Sequence, residues 1–224
     1  VEALVEARPQ RDHPLALARG YPALGTEHIG LGRDPVLLAF GLLLLARTWR
    51  ALIATITAFT LGHSATLALA TLGYADVPSA PVELLIAGTI LWLANELART
   101  DGRRPSWTHR RQGRRDGDAA LPIGAARRPG RIAAGFGLLH GLGFSGALHE
   151  VGLPQGEVPL ALFSFNVGIE IGQLAFVAIV VGGEGILRPW LRRLPPTAAR
   201  VPAYAMGTVA AYWCFERAAV LLAA

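Results

Sequence analysis

The sequence contains no lysine: all 21 of its basic residues are arginine. It has one cysteine, Cys214, and one methionine, Met206. A lone cysteine excludes an internal disulfide and any cysteine-based zinc cluster. The lack of a Cys or Met cluster argues against a Cu(I) site. Three chemical signatures are missing as well: a GxxxxGK[ST] phosphate loop, an HExxH helix and a serine within GxSxG. ATP-driven transport, zinc-protease and serine-hydrolase chemistry lose their usual residues, so the chain reads as a non-enzyme. Charge is scarce too, at 17% of 224 residues against 52% hydrophobic, and the mean hydropathy is +0.40. Soluble domains of this length are ordinarily more polar.

In place of charge there are six apolar runs, at 35–46, 51–73, 80–97, 132–148, 158–183 and 201–224. A helix crosses a bilayer with about 20 mostly apolar residues, each rising about 1.5 Å. Four runs reach or nearly reach that length, and the other two reach it with their flanks. The expected fold is therefore all-α: a polytopic membrane protein with six transmembrane helices. Its parts would be an external N-terminal segment (1–24), helices one to three (25–98), a basic cytoplasmic linker (99–130) and helices four to six (131–224).

Arginine sets the expected orientation. Arg47 and Arg50 separate the first two runs, ten Arg fall within 99–131, and Arg188, Arg192, Arg193 and Arg200 separate the last two. The 74–80 and 149–157 connections hold only the acidic Asp76, Glu150 and Glu157. Positive loops stay cytoplasmic, so both termini are expected outside a bacterial inner membrane crossed several times. Arg8, Arg11 and Arg19 depart from the rule. An outward start at Val1 without a signal pattern implies an upstream signal and an external domain. The pI of 10.3 does not imply nucleic acid. The basic 99–131 run is interrupted by Gly and Pro and suits anionic lipid at the cytoplasmic face.

Ionisable groups inside a membrane cost about 2.5–3.5 kcal/mol each, so they need a partner or a function. In this orientation His28 and Asp34 fall in the outer half of the first span, and His63 falls near the midplane of the second. His140 is central in the fourth, Asn166 and Glu170 lie between the outer third and the middle of the fifth, and Glu216 with Arg217 is outer in the sixth. One cavity open to the outside would gather most of them. His63 also fits simple helix packing beside a Thr57, Thr60, Ser64 stripe, and the glycines around His140 fit close helix approach. Glu83, Glu96, His149 and Glu150 read as interfacial, while Glu216 and Arg217 either neutralise one another or snorkel.

In the fifth run Asn166, Glu170 and Gln173 share one helical face, with Gly168 and Gly172 opposite. That polar stripe is expected to face His63 and His140, and the glycines to face a neighbouring helix. Histidines with a carboxylate suit borderline transition metals rather than Ca²⁺ or Mg²⁺. Pro35 interrupts the first run, leaving twelve residues to Ala46, or ~18 Å of helix, too short to cross. The first helix is therefore expected to be kinked or broken at Pro35, with Asp34 capping its second half.

The stretches "GTEHIGLGRD" (25–34), "TAFTLGHSATLAL" (57–69), "PVELLIAGTILWLANEL" (81–97), "FGLLHGLGFSGAL" (136–148), "LFSFNVGIEIGQL" (162–174) and "AYWCFER" (211–217) resemble the HupE/UreJ family in order and context. Its members are small polytopic bacterial membrane proteins, some associated with nickel supply to hydrogenase or urease and regarded as nickel or cobalt permeases. The resemblance implies metal-contacting roles for His28, Asp34, His63, His140, Asn166, Glu170 and Gln173. Where the family pattern has a His after the Asp, this chain has Pro35, so one expected ligand is missing. The implied cargo is Ni²⁺ or Co²⁺ ahead of Zn²⁺. The alternative implied by the resemblance is a non-transporting accessory subunit docked to a membrane complex.

Overall fold

The apolar runs fold as helices, and no strand occurs among the described residues. The computed structural model describes residues 14–46, 48–75, 77–99, 129–151, 158–191 and 193–223, without the side chains of 14–19, 129, 145–151 and 196. In chain order the helices are α1 (Pro14–Leu31), α2 (Arg33–Leu45), α3 (Trp49–Thr71), α4 (Ser79–Arg99), α5 (Pro129–Val151), α6 (Val158–Leu191) and α7 (Val201–Ala223). A short 3-10 turn, Pro196–Arg200, precedes α7. α1 begins at Pro14, inside the segment 1–24 expected to lie outside the bundle. Residues 1–13 and nearly all of the expected 99–130 linker fall outside the described residues.

The ends of α3 show how local chemistry sets a boundary. The Thr48 hydroxyl accepts from the Ala51 N–H at 3.0 Å, capping one end. At the other, Gly73 takes φ +79, the Tyr74 N–H bonds the Leu69 carbonyl and the Gly73 N–H bonds the Ala70 carbonyl. That paired closure is a Schellman motif, and it calls for a residue without a Cβ.

α3, α4 and α6 are each long and apolar enough to cross a membrane, and the α1–α2 pair would be a fourth crossing if its two halves count as one span. Within that pair Gly20–Leu31 and Arg33–Leu45 meet at 76°. The break lies at Gly32, three residues before the expected position. Pro35 sits instead in the first turn of α2, where backbone N–H groups have no intrahelical partner and a missing one costs little. Asp34 does not cap α2; Gly32 holds that position without a side-chain bond. α5 and α7 have 23 residues each, which is long enough. Six glycines in α5, and Glu216 with Arg217 in α7, dilute their apolar character.

Helices immersed in lipid gain no hydrophobic drive from touching one another, so close van der Waals approach must hold them. α3 lies along α5, α1 along α6 and α4 along α7. Glycines line the first two seams. A Cβ at Gly137 would meet the Phe59 carbonyl and the His63 N–H, and one at Gly62 would meet the Ala134 backbone. Gly168 abuts the Pro22 backbone, and Gly172 lies against Thr26 and Ile29. The glycine face of α6 therefore packs on a neighbouring helix, as its sequence pattern implies. The outer surface is apolar, with Ile179 72%, Trp190 73% and Ile186 80% exposed, while Thr60, His63 and Gln173 are buried.

Gly137→Leu and Gly168→Leu should each destabilise the bundle by about 1–3 kcal/mol or more through overpacking. Gly182→Leu should be silent, because no atom lies within 4 Å of the Cβ it would carry. Thermal unfolding of the detergent-solubilised protein checks this; equal losses in all three variants would contradict the seam.

Candidate functional site

The bend at Gly32 and the α3–α5 seam together bring three imidazoles to one cavity. It has a volume of about 310 Å³ and is lined by His28, Asp34, His63, Glu83, His140 and Arg217, among others. His63 is 2% exposed, and neither of its ring nitrogens has a hydrogen-bond partner among the described residues. A buried polar group left unpaired costs about 1–3 kcal/mol, so an open imidazole here needs a reason. The His140 Nε2 lies 3.2 Å from the Thr89 hydroxyl, whose own hydrogen goes to the Ile86 carbonyl at 2.7 Å. His140 must then donate from Nε2, which leaves its lone pair on Nδ1.

Aromatic rings fill the space between the imidazoles. Phe144 lies 4.1 Å from His28 and 6.5 Å from His63, centroid to centroid, and stacks on Phe165 at 5.2 Å. Phe59 sits between His63 at 6.0 Å and His140 at 5.4 Å. His28 and His63 are 6.2 Å apart. Two metal–nitrogen bonds of about 2.1 Å plus the two ring radii span roughly 6.5 Å, so one ion could reach both rings. Among the described residues, no three His, Cys, Asp or Glu side chains converge as a preformed metal cage. The donor set suits a borderline metal, in a lining that would have to turn its rings to grip one.

At the side of this cavity α7 reaches α2. The Arg217 Nη2 pairs with Asp34 Oδ2 at 2.6 Å, and its Nη1 donates to the Glu83 carbonyl at 2.8 Å. Asp34 Oδ1 is buried without a partner among the described residues. The guanidinium also lies 5.6 Å from the Trp213 ring, and Arg33 lies 5.8 Å from the same ring. Arg217 therefore takes its carboxylate from Asp34, and Glu216, its neighbour in sequence, is exposed.

Asn166, Glu170 and Gln173 belong to a different polar system. Their face of α6 meets the threonine stripe of α3. The Thr57 hydroxyl donates to Glu170 Oε1 at 2.7 Å, and the Thr60 hydroxyl shares its one hydrogen between Gln173 Oε1 and the Ile56 carbonyl, each at 3.2 Å. The Asn166 amide donates to the Leu162 carbonyl at 2.8 Å. Asn166 and Glu170 line a second cleft of about 380 Å³ with Thr60 and Ser64, and its rim includes the exposed Leu61 and Phe163. None of the three lines the histidine cavity. This corrects the expectation that the stripe faces His63 and His140: periodicity groups residues on a face but does not say which helix lies opposite.

A family model described as HupE / UreJ protein matches residues 6–217, nearly the whole chain. The chain belongs to the HupE/UreJ family. That family is associated with metal uptake and accessory roles rather than catalysis. No curated protein and no solved structure matches the chain. Of the residues that the HupE/UreJ motifs mark, four line the histidine cavity: His28, Asp34, His63 and His140. Reasoning from sequence missed Phe59, Thr89 and Phe144; Glu83, read as interfacial, is exposed near the start of α4 and also lines the cavity. Phe59 precedes His63 by four residues and Phe144 follows His140 by four, a helical spacing that offered a signal. Glu96, also read as interfacial, is buried.

The α3–α6 pairing carries its own expectation. A double-mutant cycle of Thr57→Val with Glu170→Ala should give a coupling of about 0.6–1.7 kcal/mol, the range for hydrogen bonds between membrane helices. Unfolding of the four proteins in bicelles measures it, and additive losses would show that the two side chains do not act together.

Proposed function

We propose that this HupE/UreJ chain is a six-span protein of the bacterial inner membrane, both termini outside, that binds and permeates a divalent transition metal, Ni²⁺ or Co²⁺. The observation carrying this reading is the cavity shared by three imidazoles, with both nitrogens of His63 free of partners among the described residues. Imidazoles beside a carboxylate favour such ions over Ca²⁺ and Mg²⁺. Ligands that do not close into a cage suit an ion that must leave again, since conduction needs weak or multiple sites. With no nucleotide loop in the sequence, the ion would move down an existing gradient.

In this reading an ion enters from the outer side, meets Asp34 and His28, and passes to His63 and His140. Phe59 and Phe144 keep the path narrow and dry. The Thr89 bond fixes which nitrogen His140 presents, as partners of ligating histidines do. Glu170 and Gln173 hold α6 to α3 and act on the ion only through that packing, while the Asn166 amide bonds within α6. The second reading, a non-transporting accessory subunit docked to a membrane complex, draws on Pro35 standing where the family pattern has a histidine.

Uptake of radiolabelled Ni²⁺ into proteoliposomes separates the two. His63→Ala and His140→Ala should lower uptake by at least about tenfold, at or above the usual loss for a disturbed metal site. Glu170→Gln should lower it less. No uptake by the wild-type protein, with a stoichiometric partner co-purifying, would favour the accessory subunit.

A further inference from the structure

We propose that Arg217 is a tethered cation that occupies the Asp34 carboxylate while the histidine cavity is empty and must leave it when a divalent metal binds. This rests on the metal-binding reading above and assigns that site its own competitor. The guanidinium sits 2.6 Å from Asp34 Oδ2 and lines the same cavity as His28, His63 and His140. An arginine in a protein does not lose its proton, so its charge can be withdrawn from the carboxylate only by movement. A divalent ion reaching Asp34 would meet that charge at a few ångströms in a poorly screened setting, where like charges repel strongly.

The surroundings give Arg217 somewhere to stay. Its second nitrogen is held by the Glu83 carbonyl at 2.8 Å, and its guanidinium lies 5.6 Å from the Trp213 ring. Neither contact is made through Asp34, and an arginine over an aromatic face is favourable in its own right. Asp34 keeps one buried oxygen, Oδ1, without a partner among the described residues. The carboxylate is thus half engaged and shares a cavity with His63, whose two ring nitrogens have no partner among the described residues. The consequence is a metal site weakened by an internal rival, which lets a bound ion go.

A purely structural ion pair predicts the opposite sign. Removing one partner of a partly buried pair leaves the other with less compensation and loosens the packing around it, so metal binding would fall. As a competitor, Arg217→Gln should bind Ni²⁺ about tenfold tighter, within the usual span of coupled sites. Equilibrium dialysis of the full chain in lipid nanodiscs against Ni²⁺ alone measures this. In an Asp34→Asn background the gain should vanish, because there is no carboxylate to contest.

A second measurement needs no variant. Peptide-mapped phenylglyoxal labelling of the wild-type protein should show Arg217 becoming more reactive when Ni²⁺ is added. If Arg217→Gln fails to fold, that labelling decides: a rise supports the proposal and no change overturns it. Wild-type protein that binds no Ni²⁺ sinks the metal-binding reading and this inference with it. Wild-type binding, with Arg217→Gln equal or weaker and labelling unchanged, overturns the inference alone.

Discussion

The close approach of backbones along two glycine seams is the constraint on which the rest depends. In lipid a leucine gains nothing by leaving the acyl chains for another helix, so packing has to come from surfaces that fit. Gly62, Gly137 and Gly141 let α3 and α5 touch backbone to backbone, and Gly25 and Gly168 do the same for α1 and α6. The histidines stand beside these contacts. Gly141 follows His140 and presses on the His63 backbone, so the seam that joins the helices also sets two imidazoles facing one cavity. The site is positioned by residues that have no side chain to contribute to it.

Much of the fold was legible in the sequence because its causes are local. Apolar runs mark the helices, and a glycine pair opposite a polar stripe marks the packing face of α6. A short first run with Pro35 signals an interrupted helix, but the break falls at Gly32, since a proline in a first turn is no obstacle while the chain just before it can turn freely. The site was legible only by membership. His28, Asp34, His63 and His140 were all marked, and they do line one cavity. The partners of the α6 stripe were not found, although Thr57 and Thr60 are themselves a visible stripe. The Asp34–Arg217 pair spans 183 residues of sequence, and no spacing argument reaches that far.

The two polar systems differ in what they leave open, and that difference assigns them different work. Along α3 and α6, Glu170 Oε1 and Gln173 Oε1 each receive a threonine hydroxyl. Oxygens engaged in this way are poor candidates for taking up an ion, and they are good ones for fixing the register of two helices. The histidine cavity is the reverse case. Among the described residues, both nitrogens of His63 and one oxygen of Asp34 lie buried with nothing to bond, and in the α6 stripe Asn166 Oδ1 does too. A membrane protein has little reason to keep such costly groups unsatisfied merely for packing, since an apolar residue of similar size would serve better. The argument from satisfaction therefore runs against the argument from sequence pattern. Asn166, Glu170 and Gln173 form the more conspicuous stripe, yet it is the histidine cavity, set by glycine contacts, that holds an open imidazole, His63, together with an open carboxylate oxygen of Asp34.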